Sequence, residues 1–287
     1  MPELPEVEVV RLSLEAYLTG KRIQKIEILN KKSFIGDPRL VEGQKIIKFS
    51  RIGKQLSIYL SNGYILLVHL KMTGQFIYGD ALMGHPTKDA FKQLPNKSTR
   101  IIFYFSPPSS KRGTKGEILY FNDQRKFGWI KLLNQTELVE AQSNLGRDVF
   151  AKNFTPRYVF TQLQKSRRPV KVALLDQKYF AGIGNIYAND ALFLAKILPT
   201  IPANKITQSQ AKSIHHHLID IMHQSVLAGG YTAKDNQYLH PDGSKGESQF
   251  FYRVYDKKGE PCIKCGTKIK YLKLAGRGTF FCPHCQK

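Results

Sequence analysis

The first 261 residues of this 287-residue chain contain no cysteine. A disulfide framework is therefore excluded for the bulk of the protein, and folding there must rest on an ordinary hydrophobic core, which a hydrophobic content of 42% supplies. Long apolar runs are also missing: none approaches the roughly 20 residues that a membrane-spanning helix needs. The opening MPELPEVEVVRL is acidic and lacks the basic and apolar regions of a secretory signal. Cytoplasmic work, without a membrane, is the expectation. Acidic residues are scarce, 22 against 44 Lys and Arg, which leaves a formal charge of +22. An excess of that size calls for a polyanionic partner, because each cation that neutralises a phosphate releases a condensed counterion. Attraction to an anionic membrane is the alternative. The cations run along the whole chain instead of gathering in one amphipathic helix, which favours nucleic acid. No internal repeat is present.

Residues 3–19 read as a helix. Leu4, Val7, Leu14 and Leu18 form one stripe, acidic residues lie near the positive end of the dipole, and Gly20 closes the helix. From 21 to 145, seven short segments rich in Ile, Tyr and Phe (IQKIEIL, KIIKFS, QLSIYL, YILLVHL, TRIIFYF, EILYF and GWIKLL) alternate with turn residues, predicting an antiparallel β-sandwich or barrel. SPPSSKRGTKG at 106–116 reads as a basic hairpin loop. Periodicity lapses at 146–156, which we take as a linker, and helical sequence follows. Thr207 and Gln210 fit a capping box ahead of the stripe Ala211, Ile214, Leu218 and Ile221. The neighbouring His215, His216 and His217 point to different helix faces and make a poor metal site.

All four cysteines fall at the end. Cys262-x2-Cys265, sixteen residues, then Cys282-x2-Cys285 is a zinc spacing, and four thiolates complete a tetrahedral structural Zn2+ site with no open position for catalysis. So short a segment has little core of its own, and metal supplies on the order of 10 kcal/mol of its folding energy. Gly276-Arg277-Gly278, between the cysteine pairs, reads as a tight turn that offers a cation to a phosphate.

The amino terminus carries the sharpest chemical signal. Removal of Met1 before the small Pro2 would free a terminal amine. An α-amino group near pKa 7.8 is neutral in roughly one molecule in seven at pH 7, far more often than a lysine. A secondary amine condenses directly to a charged iminium, which is an electron sink. Glu3 adjoins it as a proton donor or shuttle. On its own, a Pro-containing first helical turn explains the same residues.

With MPELPEVE at the start, HLKMTG at 69–74, DQRKFG at 123–128, GIGNIYANDALF at 182–193 and the terminal four-cysteine finger, the sequence resembles the formamidopyrimidine-DNA glycosylase family, within the wider group that includes endonuclease VIII. The resemblance implies an α+β multidomain fold: a catalytic β-sandwich over 1–145 with a flanking helix, the linker 146–156, a helix–two-turns–helix DNA-binding domain over 157–245, and a zinc finger hairpin over 246–287. It implies a base-excision glycosylase and abasic-site lyase, acting as a monomer on double-stranded DNA bound in a cleft between domains. Oxidised purines such as 8-oxoguanine and formamidopyrimidines would be its substrates. Pro2 would attack C1′ and Glu3 would protonate the sugar, with Glu6 in support. Lys54, Asn185 and Arg277 would grip the phosphates around the lesion, Lys171 would lie near it, and Met72, Arg125 and Phe127 would fill the void left by the extruded base. The segment 231–249 corresponds to a lesion-recognition loop. Lys71 stands where Gly is common, and Gln124 and Lys126 depart from the usual D-P-R-R. An endonuclease VIII-like enzyme for oxidised pyrimidines and a non-catalytic damage-binding zinc protein are the competing readings. Pro2 and Glu3 argue against the binder.

Overall fold

The computed structural model describes residues 2–79, 94–105, 117–232 and 239–287; the basic hairpin loop 106–116 and residues 233–238 of the recognition segment lie outside these. The chain forms two compact units, Met1–Pro2 with Glu6–Ser143 and Gly229–Gly246, and Glu3–Pro5 with Asn144–Ala228 and Glu247–Lys287.

The first unit holds most of α1 (Leu4–Leu18), the predicted amino-terminal helix, and Gly20 ends it with a left-handed φ of 83°. Among the described residues nine strands follow: β1 (Ile23–Ile28), β2 (Phe34–Ile35), β3 (Ile46–Ile52), β4 (Gln55–Leu60), β5 (Ile65–His69), β6 (Gly74–Tyr78), β7 (Thr99–Phe105), β8 (Ile118–Asp123) and β9 (Trp129–Leu133). They make a four-stranded sheet in the order β1-β7-β8-β6 and a five-stranded one in the order β2-β9-β5-β4-β3. All pairs are antiparallel except β2 with β9. One core joins the stripe of α1 (Val7, Val10, Leu14, Leu18) to inward residues of both sheets, among them Leu56, Ile58, Leu66, Val68, Phe76, Phe103, Phe121 and Ile130. Strand β5 is apolar on both faces for a reason. Leu66 and Val68 enter this core, while Ile65 and Leu67 meet Leu138 of α2 (Gln135–Gln142). The seven predicted strands are all present. Strand β6 and the two-residue β2 went unread, because the first overlaps the HLKMTG turn and the second is too short to alternate.

The second unit contains a two-residue parallel bridge of β10 (Arg147–Asp148) with β11 (Phe180–Ala181), four helices, and a finger hairpin. Thr155 caps α3 (Pro156–Gln164), with Pro at the first helical position. Helix α4 (Val170–Leu174) is short, and Gly184 precedes α5 (Asn185–Leu194). The Thr207–Gln210 capping box opens α6 (Gln208–Leu227) as expected. The histidine triplet divides only in part: His215 Nε2 bonds the Phe154 carbonyl at 2.8 Å, whereas His216, paired with Asp220 at 2.9 Å, and His217 bring their ring nitrogens within 4.8 Å of each other and of that carboxylate, nearer than the sequence expectation allowed.

The finger hairpin is β12 (Lys270–Leu274) and β13 (Arg277–Phe281), turning through left-handed Ala275 and Gly276, so Arg277 opens a strand instead of sitting in the turn. Phe193 of α5 packs with Val254, Cys262, Ile269 and Cys282. Buried Asp190, also on α5, accepts the consecutive N–H groups of Arg253, Val254 and Tyr255 at 2.8, 3.1 and 3.1 Å. Among the described residues no helix is long and apolar enough to cross a membrane.

Candidate active site

The amino terminus is seated on a glycine-rich turn. Leu4 N–H donates to the Gly182 carbonyl at 3.3 Å. The buried carboxylate of Glu3 accepts the N–H of Ile186, in the first turn of α5, at 3.0 Å. Amides left unpaired at a helix start, together with the helix dipole, make this a natural seat for an anion. Glycine is required on both sides of it. A Cβ on Gly184 would meet Glu3 Cδ at 2.0 Å, and one on Gly182, whose φ is 104°, would meet Leu4 Cδ1 at 2.4 Å. The GIGN stretch is thus written around Glu3 and Leu4, a pairing of residues nearly 180 positions apart that sequence spacing alone does not reveal. Pro2, next along the chain, is buried.

Glu6 is buried and accepts the Tyr231 N–H at 3.0 Å, just after the left-handed pair Gly229 and Gly230. The second glutamate therefore anchors the entry to the 231–249 segment. Midway along it, Pro241 accepts from Tyr78 N–H at 2.7 Å, and Leu239 N–H donates to Gln75 Oε1 at 3.2 Å.

Lys171, Asn185 and Arg277 converge within the second unit. Lys171, only 1% exposed, donates from Nζ to the Gly278 carbonyl at 2.6 Å and to Thr279 Oγ1 at 2.7 Å. Asn185 Nδ2 donates to the same carbonyl at 3.1 Å. Both side chains thus fix the peptide that follows exposed Arg277. Burial lowers the Lys171 pKa to about 7; Glu3 opposes the shift and Arg277 adds to it. In the first unit Lys54 lies buried in the β3–β4 turn, after left-handed Gly53, where sequence alone reads a solvated lysine.

Met72 sits in the β5–β6 turn, and Arg125 and Phe127 in the β8–β9 turn. Phe127 is 55% exposed, and the Arg125 guanidinium lies 5.2 Å from its ring centre. An apolar ring left in water beside a cation is costly for folding and suits insertion between bases. Sequence reasoning passed over His69, which opens the Met72 turn. Its Nδ1 accepts the Lys71 N–H at 3.0 Å, which leaves the proton to Nε2. Burial, helped by Lys71 and Lys54, lowers its pKa to about 3, so this imidazole is neutral at physiological pH.

The four cysteines bring their Sγ atoms within 4.8 Å of one another, with Cys262–Cys285 at 3.9 Å and Cys265–Cys282 at 3.5 Å. Thiolates about 2.3 Å from a zinc at tetrahedral angles stand about 3.8 Å apart, so the donor set fits one structural Zn2+. Amides of Lys264 and Cys285 approach Cys262 and Cys282 Sγ at 3.4 Å each, the backbone support such a site needs.

Comparison with known proteins agrees along the whole chain. Residues 1–130 match the formamidopyrimidine-DNA glycosylase N-terminal domain, 145–237 the H2TH domain of the same enzyme, and 259–287 a zinc finger found in FPG and IleRS. The formamidopyrimidine-DNA glycosylase of Listeria innocua is 37% identical, with all of both chains covered. That of Pelotomaculum thermopropionicum is 36% identical over all of this chain and 99% of its own. Among solved structures, the MutM (Fpg) protein of Thermus thermophilus superposes with a TM-score of 0.85 at 33% identity, covering 99% of this chain and 98% of that one. Lactococcus lactis Fpg in complex with abasic-site DNA gives 0.85 at 30% identity, with both chains fully covered. Identity above 30% over whole chains, three matched domains in order and a shared fold together establish that the chain belongs to the formamidopyrimidine-DNA glycosylase family.

Proposed function

We propose that this protein removes oxidised purines from duplex DNA with the amine of Pro2 as nucleophile and the carboxyl group of Glu3 as proton shuttle. Family membership makes it a base-excision DNA glycosylase with lyase activity. The observation that carries the residue assignment is the seat of Glu3 on the first turn of α5, which fixes the carboxylate one residue from Pro2. Met1 is removed, and the Pro2 nitrogen lone pair attacks C1′ of the damaged nucleotide. The glycosidic bond breaks, and the base departs with a proton. Glu3 protonates the sugar ring oxygen, the ring opens, and Pro2 becomes the nitrogen of an iminium. That electron sink acidifies C2′–H, so the C3′–O bond breaks by β-elimination; δ-elimination then breaks the C5′–O bond and leaves phosphorylated ends on a one-nucleotide gap.

Extruding the base costs a few kcal/mol of stacking. Met72, Arg125 and Phe127 offset this by occupying the void, with Arg125 donating to the orphaned cytosine. Lys54, Asn185 and Arg277 hold flanking phosphates. Zinc, held by Cys262, Cys265, Cys282 and Cys285, fixes the hairpin that carries Arg277 and takes no part in the chemistry. We infer that the enzyme works in the cytoplasm on nucleoid DNA. Borohydride trapping on a duplex with 8-oxoguanine opposite cytosine tests the assignment. A covalent complex should form with the wild type, with peptide mapping placing the reduced adduct on the Pro2 nitrogen, and be lost in Glu3→Gln and when the terminal amine is acetylated. An adduct mapped to any other residue would refute it.

A further inference from the structure

Two turns of the first unit, each carrying the chain from one sheet to the other, meet at one side chain. Asp123, at the end of β8, is wholly buried. Its Oδ1 accepts the Thr73 hydroxyl from the β5–β6 turn and the Arg125 N–H at 3.1 Å from the β8–β9 turn. Its Oδ2 accepts the Gly128 N–H at 2.6 Å. Thr73 Oγ1 in turn accepts the Arg125 N–H at 3.0 Å, so the two turns are bonded directly as well as through the carboxylate. The Asp123 carbonyl is itself held by Arg100 Nε at 2.8 Å.

Both turns need such a brace. Each contains a lysine in the left-handed region, Lys71 at φ 54° next to Met72, and Lys126 at φ 60° between Arg125 and Phe127. A side chain with a Cβ is strained in that conformation, which persists only where its surroundings impose it. Little room is left for adjustment. A Cβ on Gly128 would stand 2.9 Å from Phe121 and 3.1 Å from Asp123 Oδ2, and one on Gly74 would stand 2.4 Å from the Leu70 carbonyl.

We propose that Asp123 is a positioning residue that locks the Met72 turn and the Arg125–Phe127 turn into one rigid probe, so that all three side chains enter the duplex together. The inference rests on the void-filling role assigned to those residues above. A probe assembled beforehand pays its ordering entropy at folding, not at the moment of base extrusion. Loosening Asp123 should therefore slow reaction where a void must be filled and spare it where there is none.

The test compares two substrates: a duplex carrying 8-oxoguanine opposite cytosine, and a single-stranded oligonucleotide with a preformed abasic site, which has no opposing base and no void. The readout is the ratio of kcat/KM on the first to that on the second. In Asp123→Asn the single carbonyl oxygen cannot accept from all three donors. In Thr73→Val the hydroxyl link between the turns is gone, whereas Thr73→Ser keeps it. We expect the ratio to fall about tenfold in Asp123→Asn and Thr73→Val, the effect of losing a hydrogen bond to a charged group, and to stay near wild type in Thr73→Ser. A fall of less than threefold in Thr73→Val, or an equal fall in Thr73→Ser, overturns the proposal. If Asp123→Asn does not fold, the Thr73 pair decides alone. Wild-type protein that attacks neither substrate through Pro2 would instead overturn the parent assignment, and this inference with it.

Discussion

Arg125 and Arg277 both stand exposed at or beside a turn between strands, yet the two turns are braced by opposite means. The Arg125 turn connects β8 of one sheet to β9 of the other over a large apolar core, and the buried carboxylate of Asp123 braces it. The finger has almost no core of its own. Its shape comes from four thiolates, and its docking from Lys171, Asn185 and Asn189, which bond the Gly278 carbonyl, Thr279 and the Phe280 N–H. A cation can thus be held at an exposed turn either by a pre-built pair of sheets or by a metal-folded hairpin latched to a helix. The second solution is the more fragile, because it fails when either the metal or the latch is lost.

Removing the metal should break the comparison most severely. Chelation, or Cys282→Ser, should unfold the finger hairpin while leaving the β-rich unit intact, and weaken duplex binding by roughly a hundredfold or more, given the ~10 kcal/mol that zinc contributes to such folds. Hydrogen exchange resolved by peptide, together with fluorescence anisotropy on duplex DNA, would check it; protection lost equally in β8 and β13 would show that the two turns are not independent.

Breaking the latch comes next. Lys171→Met removes two buried hydrogen bonds and leaves the Thr279 hydroxyl and one finger carbonyl short of a donor, a cost of about 1–3 kcal/mol. Arg277→Ala should cut duplex affinity with little change in Tm, whereas Lys171→Met should lower both. Equal melting temperatures for the two variants would deny Lys171 its role.

The charge state of the latch gives a third, smaller effect. With the folded Lys171 pKa at about 7 and the unfolded value near 10.5, the folded protein releases this proton first as pH rises. The unfolded state binds more protons throughout that window, so stability from this group increases between pH 7 and pH 10.5. The Tm difference between wild type and Lys171→Met should widen from pH 7 to pH 9, and NMR titration of the Lys171 side chain should show a midpoint near 7. A midpoint above 9 would exclude the shift.

Smallest of all, Lys126→Asn places a residue tolerant of the left-handed region at φ 60° and should stabilise the first unit by about 0.5 kcal/mol, a gain that Ala275→Asn, at φ 46°, should match in the finger turn. A lower Tm for Lys126→Asn would show that Lys126 makes a contact worth more than its strain.

Much of this was legible from residue order. The strand segments were readable because turn residues punctuate runs of Ile, Tyr and Phe, and the zinc site because its ligands lie within 24 residues of one another. The capping box of α6 was readable because it is local. What escaped is what long-range folding creates. Nothing near Asp123 in sequence reports that it reaches Thr73, fifty residues away. The burial of Lys54 and Lys171 and the depressed pKa of His69 depend on neighbours brought in by other elements. Glu3 was singled out beside Pro2, but the N–H that seats it lies 183 residues on.

Asp190 ties the finger to α5. Its carboxylate gathers three successive amides just upstream of the first cysteine pair, and it projects from the middle of α5. Burial raises its pKa, against the pull of those amides. We predict that the entry to the finger settles on a formed α5, with metal capture following helix formation. In refolding from denaturant, helical circular dichroism should therefore recover ahead of zinc uptake, and Asp190→Ala should delay the second without delaying the first.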